Sequence, residues 1–392
     1  MSSSPFWKPI EPSNLRELMN SGYCVIDNFV QDESVAKKMR EEMCSMPIRY
    51  ENEEEEEKEE KMPCMRPNRT HFTDAKNNAK RYLFSKPGVF EYDMHMNTAT
   101  NSSNNINGSI NGGGSMATLD RFFEATGKQL AEAFNKAVKE EAFSAIDDDE
   151  EGEEEEDKGK QQKHRSYARV IKVKPGDENR TVKLQINTCG AFPYHFDNPG
   201  GARQNRKLTC ILYLNEAYED KCGGEIVLVP FMGPFVTIRP IFNRLVVFQS
   251  ETVLHRVNKA VNFPGKGRAC LTVWLDGDDS DDDDEKKRNA SVGNKNIRND
   301  LVQLLSSPSK DLISYIRQTP DAQRFLSRWA YRDEYEISLL ESHEPGKGLE
   351  HMLEAHEDAI KRMRKIQDGD LQSVLERVRE MRREEEMEIV RL

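Results

Sequence analysis

FPYHFDNPGG (192–201), RKLTCILYLNEAYEDKCGGEIVLVPF (206–231) and NRLVVFQSETVLHRVNKAVNFPGKGRACLTVWL (243–275) are the parts of this chain whose reading decides its fold. Short apolar runs alternate here with turn residues. LTCILYL and EIVLVPF are almost continuously apolar, as sandwich strands buried on both faces are, while VTIRP (236–240) alternates and RLVVFQ and CLTVWL follow. The hydrophobic strands carry an unusual polar set. His195 and Asp197 form an H-x-D pair, His255 follows sixty positions later, and Arg268 lies thirteen beyond that. On a strand, positions i and i+2 share a face, so His195 and Asp197 can reach one metal ion while Phe196 turns to the opposite layer. Two imidazoles and one carboxylate are the donor set that holds Fe(II) on one face and leaves the other positions open. A zinc hydrolase with the same donors needs a general base as well, and the sequence offers none. An isolated H-x-D carries almost no information; the spacing and the strand surroundings give it weight.

Arg268, Cys270, Thr272 and Trp274 alternate onto one face of their strand. An arginine sharing a face with Cys, Thr and Trp points inward, and a buried guanidinium needs an anion. It can grip a carboxylate through two parallel hydrogen bonds.

H-F-D-N-P, L-T-C-I-L-Y-L-N, G-G-E-I, the H-R-V after VFQSETVL, and G-R-A-C-L-T-V-W-L occur here in one order and spacing. In these motifs the chain resembles the iron(II)- and 2-oxoglutarate-dependent dioxygenases of the prolyl 4-hydroxylase-like branch, with the hypoxia-sensing prolyl hydroxylases nearest. The similarity is dense over 182–278 and thins to a pattern over 14–46. The resemblance implies a double-stranded β-helix, or jelly roll, within an α+β chain. It implies Fe(II) on His195, Asp197 and His255, with 2-oxoglutarate anchored by Arg268 and by the Tyr213 hydroxyl, and Thr272 lining the same pocket. It further implies O2 and L-ascorbate as co-reactants, a proline-containing protein or peptide substrate, hydroxyproline and succinate as products, and a place in a hypoxia response. Relatives carry a Tyr where this chain has Asn187-Thr188-Cys189, and a second aromatic position is Phe192 rather than Tyr. The turn between them is shorter, and four extra residues separate His255 from Arg268. Arg rather than Lys at 268 points away from the collagen-type and plant-type enzymes and toward the hypoxia-sensor or ribosomal groups. Two other readings stand beside this one: the same oxygenase chemistry on another residue or a small molecule, and a non-catalytic jelly-roll binding module.

Working outward, Ser13 is expected to cap a helix over 13–22, followed by a strand at Tyr23–Asp27 and a helix capped by Asp32 that stops before Pro47. Residues 81–92 hold a strand. The apolar spacing of Leu119, Phe122, Phe123, Leu130, Phe134 and Val138 predicts a helix over 118–143. SYARVIKVK (166–174) and TVKLQINT (181–188) flank Pro175–Asn179 and predict a hairpin. At least eight short strands result. Strand order alone would also allow an immunoglobulin-like sandwich; the metal set and the resemblance favour the jelly roll.

The chain divides into an N-terminal support region (1–160) with inserts at 51–60, 97–115 and 147–160, a dioxygenase domain (164–278, core 182–278), an acidic linker (279–295) and a helical region (296–392). In the last, Thr319-Pro320 opens a helix expected to run to His343. Leu371, Val374, Leu375 and Val378 form the only apolar stripe of a final charged helix, either a partner-binding element or a solvent-exposed end. His343, His351 and His356 lack the spacing of metal ligands on one helix face and are expected to be solvated.

Net charge −12 argues against a nucleic-acid partner. No apolar stretch is long enough to cross a membrane and no signal segment follows Met1. Seven scattered cysteines read as free thiols of a reducing compartment, so a soluble cytoplasmic or nuclear protein is expected. The sequence does not indicate an oligomeric state.

Overall fold

The computed structural model describes residues 6–50, 63–74, 80–94, 116–147, 172–200, 205–277 without 216 and 232, 301, 312, 315–316, 319–364, 372–380 and 383. The acidic and Asn/Gly-rich inserts, the linker and the boundaries drawn at 160, 164 and 279–295 lie outside the described residues.

Eleven strands among the described residues form two antiparallel sheets. They are β1 (Tyr23–Ile26), β2 (Arg66–Asp74), β3 (Lys80–Met94), β4 (Arg180–Asn187), β5 (Phe192–His195), β6 (Arg206–Tyr213), β7 (Ile226–Val229), β8 (Val236–Ile238), β9 (Leu245–Gln249), β10 (Leu254–Val257) and β11 (Arg268–Asp276). The major sheet has the order β1-β9-β6-β11-β4-β3-β2 and the minor sheet β5-β10-β7-β8. This is the expected jelly roll. Between the sheets lies an apolar cluster that includes Ile211, Ile226, Leu228, Val246 and Phe248. The other face of the major sheet is covered by α1 (Pro12–Ser21), α2 (Glu33–Ser45), α3 (Ala117–Ala125) and α4 (Ala131–Asp147). Val182, Leu184 and Ile186 point into that helical layer, and Lys183 and Gln185, half-buried, face the other way.

Several local expectations change. Helix α1 begins at Pro12, so the cap is Glu11 rather than Ser13. A proline at the first helical position hands the capping role to the residue before it, and Glu11 and Asn14 satisfy each other's backbone reciprocally. Gly22 closes the helix in the left-handed region (φ 80°) and Asp32 caps α2 by accepting from Ser34 N–H, both as the sequence predicts. The strand expected over 81–92 is present within β3, and β2, which the sequence did not suggest, pairs antiparallel with it. The helix expected over 118–143 runs from 117 to 147 but is interrupted by a wide π turn at Thr126–Leu130. At this turn the Phe123 carbonyl accepts from Arg180 Nη2 (2.8 Å) and from the Thr126 hydroxyl (2.7 Å) as well as from the Thr126 backbone N–H.

The hairpin expected between 166–174 and 181–188 is not formed among the described residues. Val173 bridges Gly277 instead, and β4 takes β11 and β3 as its neighbours. Asn243 ties the N-terminal segment to the barrel: at φ 58° and buried, it accepts from Val30 N–H (2.8 Å) and donates to Val30 C=O (2.9 Å). Each buried group left unpaired costs about 1–3 kcal/mol. Asn243→Ala is therefore expected to destabilise the fold by about 2–5 kcal/mol, read as a lower denaturant midpoint at unchanged slope.

In the C-terminal region, the helix opened by Thr319-Pro320 breaks at Tyr331 into α5 (Pro320–Ala330) and α6 (Arg332–Ser342), followed by α7 (Lys347–Arg364). Thr319 stands at the cap position but makes no side-chain cap bond. Val374, Leu375 and Val378 are neither solvent-exposed nor free for a partner. They are buried with Leu301, Leu312, Ile316, Phe325, Leu326 and Trp329 in a core of their own. His343 and His356 are buried as well, against expectation. The His356 ring stacks on Tyr335 at 4.8 Å, and its Nε2 lies 3.0 Å from Arg332 O, a carbonyl that can only accept. Burial pushes both imidazoles below their usual range, so they stay neutral. Among the described residues no helix is long and apolar enough to cross a membrane.

Candidate metal and oxo-acid site

At one end of the space between the sheets, β5 and β10 pair with His195 directly opposite His255. Their ring centroids are 4.2 Å apart. Asp197 lies two residues past His195, just beyond the end of β5, and still shares its side of the sheet. Its Oδ1 is 3.5 Å from His195 Nε2 and its Oδ2 3.7 Å from His255 Nε2. One donor atom from each of the three residues lies within 4.8 Å of the others, and this is the only such group among the described residues.

The arrangement fits a cation bound through nitrogen and oxygen. His195 Nδ1 is 2.8 Å from Pro193 O and His255 Nδ1 3.2 Å from Val253 O. A carbonyl only accepts, so each Nδ1 carries the proton and each Nε2 turns a lone pair toward the gap. Burial, with the neighbouring His195 ring, pushes His255 down to about 4. Burial alone would push the Asp197 carboxyl up; the adjacent His255 and His195 imidazoles, with the hydrogen bond from Trp274, hold it well below the usual carboxylate range instead. Its Oδ2 accepts from the Thr209 hydroxyl (2.8 Å) and the Trp274 indole N–H (3.0 Å), and Ser250 in turn meets Thr209 at 2.8 Å. Oδ1 is left facing the histidines. His195 is the exposed member of the set, with 37% of its side chain accessible, and marks the open side of the site.

Thr209 and Trp274 were not singled out as partners of Asp197 from the sequence. The shared face of Arg268, Cys270, Thr272 and Trp274 was the available signal for the indole. For Thr209 the signal appears only once β6 is paired beside β11, where Thr209 stands opposite Trp274.

Deeper in, Arg268 is 1% exposed. Its Nε donates to Gly224 C=O (2.7 Å), Nη1 approaches Cys270 Sγ (3.3 Å) and Nη2 donates to the Tyr213 hydroxyl oxygen (3.4 Å). Among the described residues no carboxylate meets this guanidinium. Burial pushes the fully enclosed Tyr213 phenol up to about 12, so its O–H remains a donor. Thr272 is buried between Arg268 and Trp274 on the same face of β11. Asn187, in the segment where the resembled family carries a tyrosine, turns its amide back on its own turn, donating to Gly190 C=O (2.9 Å) and accepting from Gly190 N–H (2.7 Å). It therefore supplies no substitute hydroxyl. Phe192 packs beneath Lys86, whose Nζ is 4.3 Å from the ring centroid.

Gly224 lets this geometry form. Its φ is +72°, and an added Cβ would lie 2.8 Å from Arg268 Cδ and 2.9 Å from the Phe263 ring. Left-handed backbone costs a non-glycine residue about 1–2 kcal/mol, and the clash adds displacement of Arg268. Gly224→Ala is expected to lower the melting temperature and to weaken oxo-acid binding together, measured by thermal denaturation and a ligand titration.

Residues 182–276 match the sequence profile of the 2OG-Fe(II) oxygenase superfamily. Human Egl nine homolog 1 is 34% identical over 121 residues, covering 30% of this chain and 26% of that protein. Mouse prolyl hydroxylase EGLN3 is 36% identical over 98 residues, covering 24% of this chain and 39% of its own. The match thus spans well under half the length of these relatives. A crystal structure of prolyl 4-hydroxylases from Phytophthora capsici superposes with a TM-score of 0.57 at 25% identity, covering 95% of this chain and 92% of that one. The paired histidines, the pinned carboxylate and the enclosed arginine all fall within the matched residues, and residues 182–276 accordingly read as a 2OG-Fe(II) oxygenase domain that is similar to those of the prolyl hydroxylases.

Proposed function

We propose that this protein is an Fe(II)- and 2-oxoglutarate-dependent dioxygenase that hydroxylates prolyl residues of a protein substrate. The observation that carries the proposal is the buried Arg268 guanidinium, which no carboxylate meets among the described residues while Tyr213 stands beside it as a second donor. A buried cation calls for an anion, and the far carboxylate of a five-carbon oxo-diacid supplies one. His195, Asp197 and His255 would hold the metal. When bound, Fe(II) with 2-oxoglutarate supplies the O2 activation that couples loss of CO2, giving succinate, to insertion of one oxygen atom into a C–H bond.

The chain's own residues do the positioning. Val253 O and Pro193 O orient the two imidazoles, and Thr209 and Trp274 hold Asp197 with one oxygen toward them. Arg268 and Tyr213, both buried, would fix the distal end of the oxo-acid away from bulk solvent, where a charged hydrogen bond is strong. The exposed flank of His195 leaves a path for a polypeptide. Ascorbate would serve as a co-reductant, and a role in oxygen sensing follows the same family reading.

The test is incubation with a library of proline-containing peptides, Fe(II) and 2-oxoglutarate, read by mass spectrometry. A one-oxygen gain located on proline is expected. A gain located on another side chain, or on a small metabolite only, overturns the prolyl assignment.

A further inference from the structure

Ser338 and Glu341 lie one turn apart on α6, and each holds the residue next to one of the two site histidines. The Ser338 hydroxyl accepts from Tyr194 N–H at 3.0 Å and donates to Tyr335 C=O at 2.7 Å. Glu341 Oε2 pairs with Arg256 Nη1 at 2.9 Å, and the Arg256 guanidinium also sits over the Tyr194 ring at 5.5 Å. Tyr194 precedes His195 and Arg256 follows His255, so one face of one helix grips both strands a single residue from the imidazoles.

The minor sheet needs such a grip. β5 is an edge strand of four residues whose only strand partner among the described residues is β10, and its register shifts between the pairs His195↔His255 and Phe192↔Val257. A short, irregular edge pair fixes its own register weakly. The Tyr194 amide faces outward from that edge, and a buried amide without a partner is unfavourable. Ser338, 1% exposed, satisfies it. Tyr194, Val229 and Leu254 bury their outer faces against Tyr331 and Tyr335 from the same helical region.

We infer that α6 is a positioning element of the metal site: through Tyr194 and Arg256, Ser338 and Glu341 set the separation and tilt of His195 and His255, so metal affinity depends on a helix that contributes no ligand. The inference rests on the proposed metal role of the two histidines. Partners that orient metal ligands typically change affinity by 10–100-fold when lost. Arg256 keeps Asn258 as a second acceptor at 2.9 Å, so Glu341 is the weaker of the two holds.

The experiment titrates Co(II), whose absorption reports ligand geometry, into the full-length wild type and the Ser338→Ala, Glu341→Gln, double and Leu340→Ala variants. Thermal denaturation of the metal-free proteins establishes that each is folded at the titration temperature. Ser338→Ala is expected to raise the Co(II) dissociation constant by about ten-fold, Glu341→Gln by less, and the double variant by more than either, with an altered Co(II) spectrum. Leu340 is on the same helix but 52% exposed, and its truncation should leave affinity and spectrum unchanged. Wild-type affinity in the double variant overturns the inference, as does equal weakening in Leu340→Ala, which would reduce the effect to general loosening of α6. His255→Ala is the separate control: if it binds Co(II) as the wild type does, the metal assignment itself fails and not merely the role of α6.

Discussion

Arg268→Ala is expected to raise the 2-oxoglutarate concentration needed for half-maximal succinate formation by about thirty-fold to several thousand-fold. The estimate follows from the surroundings of the guanidinium. It is 1% exposed and its protein contacts are a carbonyl, a thiol and a phenol. Truncating one member of a buried, hydrogen-bonded charge pair costs about 2–5 kcal/mol, and each 1.4 kcal/mol is a factor of ten. Metal affinity should change little, because Arg268 touches none of His195, Asp197 or His255 among its hydrogen-bond partners. Arg268→Lys should fall between, since an ammonium keeps the charge and loses the planar fork. Tyr213→Phe should be milder, about 1–3 kcal/mol for one lost donor. A titration of 2-oxoglutarate against succinate for the three variants decides the matter. Should Arg268→Ala titrate like the wild type, the anchor lies elsewhere.

Asp197→Ala is expected to have the largest effect on the metal. It removes the only carboxylate of the three-residue group and leaves the Thr209 hydroxyl and the Trp274 indole N–H facing an empty space. Loss of a ligand should exceed the 10–100-fold that loss of a supporting partner brings, so metal affinity should fall by more than about 100-fold and turnover should vanish. The fold should survive. The two sheets are closed by strand pairing and by apolar clusters on both sides of the major sheet, none of which uses the ion. Retained metal affinity in Asp197→Ala, measured by Co(II) titration, would reject the donor set.

Features written in local spacing were legible in the sequence. His195 and Asp197 were readable because strand periodicity puts positions i and i+2 on one face, and Arg268 because it alternates with Cys270, Thr272 and Trp274; Tyr213 followed only from the family resemblance. The structure groups His195 and Asp197 with His255 and sets Arg268 beside Tyr213. Asp32 and Gly22 were readable because capping is a matter of adjacent residues. What escaped depends on partners distant in the chain. β4 was given a neighbour just before it, but its hydrogen bonds go to β11 and to β3, and no turn signal near Pro175 records that choice. The π turn after Phe123 coincides with a hydrogen bond from Arg180, fifty-seven positions on, to the Phe123 carbonyl. His343 and His356 looked solvated by helical spacing alone. They are buried because α7 lies against α6, and Tyr335 supplies the covering ring. The stripe at Val374–Val378 looked unpartnered for the same reason, its cover coming from residues 301–329. The hold of Ser338 on Tyr194 spans 144 positions, and neither residue signals it locally.

The measurement that tests the central claim most directly is Fe(II)-dependent release of succinate from 2-oxoglutarate in the presence of proline-containing peptides, wild type beside His255→Ala. The account predicts succinate from the wild type only when Fe(II) is supplied, and none from the variant although its fold is intact. Succinate formed without Fe(II), or formed equally by His255→Ala, would contradict it.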